Sequence, residues 1–301
     1  MEGLRRFLES VGVRSVTDCP LSAHSSFHIG GNAALACFPK TREQMLAVLC
    51  EATRLGIPFF LAGNGSNVVY SDRGLDGLVI FTGEWKELSV SGNRILACAG
   101  TSLYRVSVAA REAALTGAEF LYGIPGTLGG AVFMNAGAYG SSMADICLRS
   151  EYFDRESREC GWLDGAAQEF AHRSSIYEKN PRYTVLRAEL CLAYGECGTI
   201  TQIMENLMER RKLSQPLEYP SAGSVFKRPE GYFAGKLIED CGLKGVRVGG
   251  AEVSQKHAGF IVNRGGATAK DVRELVELIR ARVLEETGVR LECEIRFIGN
   301  I

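Results

Sequence analysis

Apolar residues first recur at helical spacing at Met45, Leu46, Val48, Leu49 and Ala52. Thr41-Arg-Glu-Gln44 stands before them as a capping-box pattern, and Gly56 and Pro58 stand after them as stops, so a helix is expected between. Residues 57–70, "IPFFLAGNGSNVVY", read as strand, glycine turn, strand, and residues 85–100 as a hairpin around Ser91-Gly92-Asn93. Leu103, Val106, Ala109 and Ala113 place a helix over 102–115. Strands are expected at 151–154 and 185–193, with the polar turn "DRESRE" after the first. Ile200, Ile203, Met204 and Leu207 predict a helix from Thr199 to the basic Arg210-Arg-Lys212. The last helix runs from Asp271 to about Thr287 with Val272, Leu275, Val276, Ile279 and Val283 inward. Gly288 ends it, and "VRLECEIRFIG" reads as a final strand.

Strands and helices alternate, but hairpins interrupt them, so the fold class is α+β with mixed sheets rather than a doubly wound parallel sheet. The charged stretch running into proline, "RRKLSQPLEYP", is the best domain junction. The chain shows no internal repeat and no low-complexity tract.

Composition narrows the function. A chain of 301 residues, 46% hydrophobic and 23% charged, is globular and long enough for two domains. Its formal charge of −1 supplies no global field for nucleic acid, so any anion binding is local. No apolar run reaches the roughly 18 residues of a membrane helix, and "MEGLRRFLESVGVRSV" lacks a secretory signal; a cytoplasmic, non-membrane protein is expected, and a monomer is compatible with the sequence. The 10 cysteines are scattered without a CxxC pair and read as reduced, mostly buried thiols. His24, His28, His172 and His257 have no metal-ligand spacing, so no metal is expected. Glycine is the outlier, with 35 residues against 8 prolines.

Those glycines cluster. Ala62-Gly63-Asn64-Gly65-Ser66-Asn67 lies between two apolar runs. Gly63 and Gly65 permit positive φ, which turns successive backbone N–H groups to one side as an anion nest, and Ser66 and Asn67 add donors. A hairpin turn explains the same residues. Neither a Walker A loop nor a GxGxxG fingerprint fits, since no Lys-Ser/Thr follows and position 68 is Val68. A second stretch holds Gly123, Gly126, Gly129, Gly130, Gly137 and Gly140, with Pro125 fixing one φ. Ordering so much glycine costs chain entropy, which a large ligand lying on exposed backbone would offset; a tight surface loop is the plainer reading. Finally, "YPSAGSVFKRP" puts Ser224 behind small residues and Lys227-Arg228 behind an apolar pair, a pattern that suits a nearby anion.

At these residues the chain resembles the UDP-N-acetylenolpyruvoylglucosamine reductase family. The matching blocks are "SFHIGGNAAL", "LAGNGSNVV", "EFLYGIPGTLGGAVFMNAGAYG", "PLEYPSAGSVFKRPEGYFAGKLIEDCGLKGVRVGGAEVSQKHAGFIVN" and "CEIRFIG", in family order from about 20 to 300. The resemblance implies an FAD-binding domain of the vanillyl-alcohol-oxidase (PCMH) type over 1–195, in subdomains of about 1–80 and 81–195. A substrate-binding α+β domain would cover 196–301, with the strand at 291–301 packing back near the flavin. It implies non-covalent FAD, held by Ala62–Asn67, by Tyr122, Gly123, Ile124, Pro125, Gly126, Thr127, Gly129 and Gly130, by Asn135, Ala136, Gly137, Ala138 and Tyr139, and by Arg296. NADPH would be the co-substrate, and UDP-N-acetylglucosamine enolpyruvate the substrate reduced to UDP-N-acetylmuramate for peptidoglycan. Ser224 would then be the proton donor. Arg173 would polarise the carboxylate and Glu294 would act with it. Lys212, Lys227 and Arg228 would bind the UDP portion.

The sequence departs from the family pattern at two places. His172 stands where the family's Tyr-Arg-x-Ser segment has tyrosine, and an unperturbed imidazole titrates near pH 6.5. The short interval from Arg173 to Ser224 resembles the branch without the inserted tyrosine loop, so no such tyrosine is assigned. An alternative reading is an FAD oxidoreductase of the same fold acting on a small alcohol or sugar; it would share the glycine loops but not "YPSAGSVFKRP". A non-catalytic UDP-sugar-binding protein would need a loss at Arg173, Ser224 or Glu294, and all three are present.

Overall fold

The structure is a computed structural model that describes residues 1–300. The chain divides into two compact units. The first comprises Met1–Thr17, Leu35–Gly63 and Gly77–Arg210; the second comprises Asp18–Ala34, Asn64–Asp76 and the chain from Arg211 onwards.

In the first unit, Thr41 caps the helix Arg42–Arg54 by accepting from the Gln44 backbone at 3.2 Å. The reciprocal bond of a capping box is displaced by one residue: Gln44 Oε1 accepts from the Lys40 amide at 2.8 Å. Met45, Val48, Leu49 and Ala52 are buried as the spacing requires. They pack with Leu4 and Leu8 of the helix Glu2–Ser10, which the pattern reading missed. A five-stranded antiparallel sheet follows, in the order Cys160–Asp164, Cys147–Asp154, Tyr183–Cys191, Arg94–Cys98, Leu88–Ser91. The last two strands are the expected hairpin, closed by Gly92 at φ 57°. The helix Leu103–Glu112 buries Leu103, Val106, Ser107 and Ala110, so its inward stripe is rotated from the expected Ala109 and Ala113.

Charge is handled inside this sheet by an ion-pair cluster. Glu151, 2% exposed, accepts from Arg42 and Arg187, each at 2.5 Å. Burial pushes its carboxyl up, and the hydrogen bonds from Arg187 and Arg42 outweigh that and hold it below the usual range. All ten cysteines are thiols, and five are buried. Burial pushes Cys37 and Cys147 up to about 12, so they remain protonated.

The second unit has a four-stranded antiparallel sheet, Ser221–Ser224, Phe260–Asn263, Ala251–Val253, Arg247–Val248. The helix Ala269–Thr287 packs Val272, Leu275, Val276, Ile279 and Val283 into its core, and Gly288 ends it at φ 71°. A full capping box of Thr268 and Asp271 starts it, two residues earlier than expected. The expected final strand is shorter than read. Only Arg296–Ile298 is strand, paired in parallel with Val68–Tyr70. Residues 292–294 instead reach the segment after Ser224 through the bridge Phe226–Cys293.

Candidate functional site

The glycine loop at 63–67 is not a hairpin turn. Its flanking strands do not pair with each other: Phe59–Ala62 runs parallel to Leu78–Phe81, and Val68–Tyr70 runs parallel to Arg296–Ile298. In the first unit, a Cβ on Gly63 would stand 2.4 Å from Thr127 Oγ1, so the two glycine-rich segments touch and only glycine permits the contact. The helix Leu128–Phe133 begins there. Its amides at Leu128 and Gly129 donate to Thr101 and Ala99 carbonyls at 2.8 and 2.9 Å. The amides of Gly123, Gly126 and Thr127 donate to no acceptor among the described residues, although Thr127 is 3% exposed. An unmet buried amide costs about 1–3 kcal/mol, and an anionic group laid on this backbone would recover it.

The segment Asn135–Tyr139 stores strain. Gly137–Ala138 pairs with Ser141–Ser142 in a two-residue hairpin whose turn residues, Tyr139 and Gly140, both have positive φ, 56° and 90°. That turn geometry suits Asn-Gly, and a bulky tyrosine there is an outlier. It is held by Tyr139 OH donating to the Leu207 carbonyl at 3.2 Å and by the Arg210 guanidinium 4.8 Å from its ring centre. Asn135, also left-handed at φ 47°, accepts from the Ala144 amide and donates to the Ala171 carbonyl, both at 2.9 Å. Ala171 and Ser174 exchange backbone hydrogen bonds, so His172 and Arg173 form the tip of a second tight turn. Arg173 sits at φ 54° and donates to the Gly137 carbonyl at 3.1 Å. Thus Asn135 braces the turn that carries Arg173, and Arg173 braces the Asn135–Tyr139 segment in return.

In the second unit, a β-bulge aims Ser224. Ser221 pairs with Val262 and Ser224 with Phe260, so three steps along one strand match two along the other. The extra residue lets both serines face the same side. Gly223 takes φ 78°, and a Cβ there would meet no atom within 4 Å. Ala222 is 2% exposed and packs in the core, so of the two small residues only Gly223 clears space. The Ser224 hydroxyl is part-exposed and makes no hydrogen bond among the described residues.

Glu294 is tied beside it. The Glu294 amide donates to the Val225 carbonyl at 2.7 Å, and Asn67 Nδ2 donates to the Glu294 carbonyl at 3.2 Å. The Arg296 amide donates to the Asn67 carbonyl at 3.0 Å. The loop end Asn67, Glu294 and Arg296 are therefore one hydrogen-bonded assembly, joined to Ser224 through its neighbour Val225. Gly65 belongs to it by packing, since a Cβ there would stand 2.3 Å from the His24 carbonyl oxygen. The amides of Gly65 and Ser66 donate to no acceptor among the described residues.

Ser26 was not singled out from the sequence, though it lies in "SFHIGGNAAL". Its amide donates to the Gly65 carbonyl at 3.3 Å, its hydroxyl donates to the Ser221 carbonyl at 2.7 Å, and its carbonyl accepts from Ser221 at 3.2 Å. It fastens the glycine loop to the strand of Ser224. His257, to which the sequence assigns no role beyond lacking metal-ligand spacing, lies on the connection between two strands of the same sheet. The Gly259 amide donates to its Nδ1 at 3.0 Å, which puts the ring proton on Nε2, and burial pushes the imidazole below its ordinary value.

The three expected substrate cations differ in setting. Lys227 pairs with Glu292 at 3.7 Å. Arg228 lies over the Phe233 ring at 3.9 Å. Lys212 is exposed near the end of the helix Cys197–Ser214, its carbonyl accepting from Lys256 Nζ at 2.6 Å. Among the described residues no His, Cys, Asp and Glu group could hold a metal ion, and no helix is long and apolar enough to cross a membrane.

Comparison with known proteins identifies the family. Residues 33–159 match the FAD binding domain family, and residues 215–298 match the UDP-N-acetylenolpyruvoylglucosamine reductase C-terminal domain. UDP-N-acetylenolpyruvoylglucosamine reductase of Caldanaerobacter subterraneus is 46% identical over 93% of this chain and 92% of its own length. That of Alkaliphilus oremlandii is 46% identical over 94% and 92%. Among solved structures, the UDP-N-acetylenolpyruvylglucosamine reductase (MurB) of Thermus caldophilus superimposes with TM-score 0.80 at 36% identity, covering 95% of this chain and 99% of that one. A BBE-like protein of Physcomitrella patens, at 14% identity and TM-score 0.50 over 93% of this chain and 60% of its own, shares the fold alone. The chain belongs to the UDP-N-acetylenolpyruvoylglucosamine reductase family and is an FAD-dependent oxidoreductase.

Proposed function

We propose that this protein reduces UDP-N-acetylglucosamine enolpyruvate to UDP-N-acetylmuramate in the cytoplasm, with NADPH as the source of reducing equivalents. The observation that carries the reading is the bulge at Gly223, which presents an unbonded hydroxyl, Ser224, beside Glu294 and open space. FAD fits the residues present: each unit carries a glycine segment with unspent amides that suit an anionic phosphate group, Gly65 and Ser66 in the second and Gly123, Gly126 and Thr127 in the first. Ala62–Asn67, Tyr122–Gly130, Asn135–Tyr139 and Arg296 would hold it, and when bound it supplies hydride transfer between NADPH and the enolpyruvyl double bond.

The remaining steps belong to side chains. Negative charge develops on the pyruvyl carboxylate as the double bond is reduced, and Arg173, hydrogen-bonded to the Gly137 carbonyl, stabilises it. Ser224 gives its proton to C2 of the pyruvyl group. A hydroxyl is a weak acid, so Glu294, fixed one residue away through Val225, orients the enol or relays the proton that replaces the one Ser224 gives up. Lys212, Lys227 and Arg228 counter the UDP diphosphate. On this reading the FAD-binding domain covers about 1–195 and the substrate-binding domain about 196–301.

The test is spectroscopic. The purified protein should be yellow, bleach with NADPH under argon, and regain colour when the enolpyruvyl nucleotide is added. Rapid recovery with oxygen and none with that nucleotide would favour an oxidase of a small alcohol or sugar instead.

A further inference from the structure

Phe233 is 62% exposed and Tyr232 49% exposed, on a loop that leaves the strand of Ser224 and enters the helix Ala234–Asp240. The loop is built, not slack. Arg228 Nε donates to the Tyr232 carbonyl at 3.2 Å, the Tyr232 amide donates to the Pro229 carbonyl at 3.2 Å, and the Arg228 guanidinium lies 3.9 Å from the Phe233 ring centre. With one ring face carrying the guanidinium, that exposure leaves the other face and the edge in water. The two Nη groups of Arg228 donate to nothing among the described residues.

A continuous run of contacts joins this pair to the reaction centre within the second unit. Ser224 pairs with Phe260, Phe260 meets the His257 ring edge-on at 5.0 Å, and a Cβ on Gly235, two residues after Phe233, would stand 3.0 Å from His257 Cε1. Along the run, an apolar plane sits beside a cation with two Nη groups that donate to nothing among the described residues. A planar, uncharged ring joined to an anion matches that pairing. Uracil on a diphosphate is such a group.

Resting on the proposed function, we propose that Phe233 is the platform on which the uracil ring of the nucleotide substrate stacks, with Arg228 behind it presenting its Nη edge to the diphosphate. Stacking a base on an aromatic side chain is sequence-tolerant and geometrically undemanding, so it suits a ring on a surface loop. Arg228 clamps the phenyl ring in advance, which lowers the ordering cost on binding.

The experiment titrates the FAD-loaded protein with UDP and, separately, with inorganic pyrophosphate, following the flavin difference spectrum or heat. Phe233→Ala and Phe233→Leu should each weaken UDP by about tenfold or more, as loss of a base stack does, and leave pyrophosphate within about twofold. Phe233→Tyr should restore UDP. Arg228→Gln should weaken both ligands. Wild-type UDP affinity in Phe233→Leu would overturn the proposal, and so would an equal loss of UDP and pyrophosphate, which would make Phe233 only a prop for Arg228. Wild-type protein that fails to bind UDP at all would instead remove the functional reading on which the proposal rests.

Discussion

The Glu294 amide donates to the Val225 carbonyl at 2.7 Å, which sets the backbone of Glu294 beside the residue after Ser224 although the two are far apart in sequence. The bond exists because the last segment of the chain runs beside residues 225–227 before it pairs with Val68–Tyr70. The geometry therefore depends on backbone as much as on the two side chains.

Gly223 is the hinge of that arrangement. Gly223→Ala should cost about 1 kcal/mol in stability, because alanine at positive φ is strained while the space around it is open. The loss in kcat should be larger than that strain implies, since relaxing the bulge turns Ser224 away from its face. Denaturant midpoints and steady-state rates on the same preparation separate the two effects.

Tyr139 should show stability and cofactor binding moving in opposite directions. Tyr139→Asn removes a left-handed tyrosine, and should raise the melting temperature of the cofactor-free protein by a few degrees, corresponding to about 1 kcal/mol. It also removes the hydroxyl bond to Leu207 and a ring of the segment proposed to hold FAD, so on that proposal FAD should bind more weakly. Thermal melts with and without added FAD would show it.

Glu151→Gln should destabilise the protein by about 3 kcal/mol, because Arg42 and Arg187 lose a buried carboxylate that both contact. Since that carboxyl titrates below its ordinary value, its contribution is complete above the unfolded carboxylate range and is lost as the pH falls through the lower folded value. Urea midpoints of the wild type should fall below pH 5 more steeply than those of the variant.

His257 has the sign of a buried neutral base. Its folded value lies below the ordinary imidazole value, so the stability it contributes is complete above about pH 6.5 and falls away at lower pH. Melting curves between pH 8 and pH 5 should drop further for the wild type than for His257→Gln.

Much of this was legible in the sequence, and for physical reasons. The helix Ala269–Thr287 has a continuous apolar stripe and a glycine stop, so periodicity alone places it to within two residues. The strand at 160–164 is half-exposed and carries no such stripe, and it was missed. The loop at 63–67 reads as a hairpin because its flanks are two apolar runs; only long-range parallel partners, which sequence spacing does not reveal, make it a crossover. The bulge at Gly223 and the tie through Ser26 depend on register and on a partner almost two hundred residues away, so local pattern carries neither. The resemblance supplied Ser224 and Glu294, and the structure supplied their adjacency.

The proton-donor role of Ser224 is tested most directly by rapid mixing of NADPH-reduced enzyme with the enolpyruvyl nucleotide in the absence of oxygen. Ser224→Ala should take up reducing equivalents from NADPH at the wild-type rate, then return to the oxidised spectrum about 100-fold or more slowly, the scale of a lost general acid. Recovery of the spectrum at the wild-type rate would contradict the account.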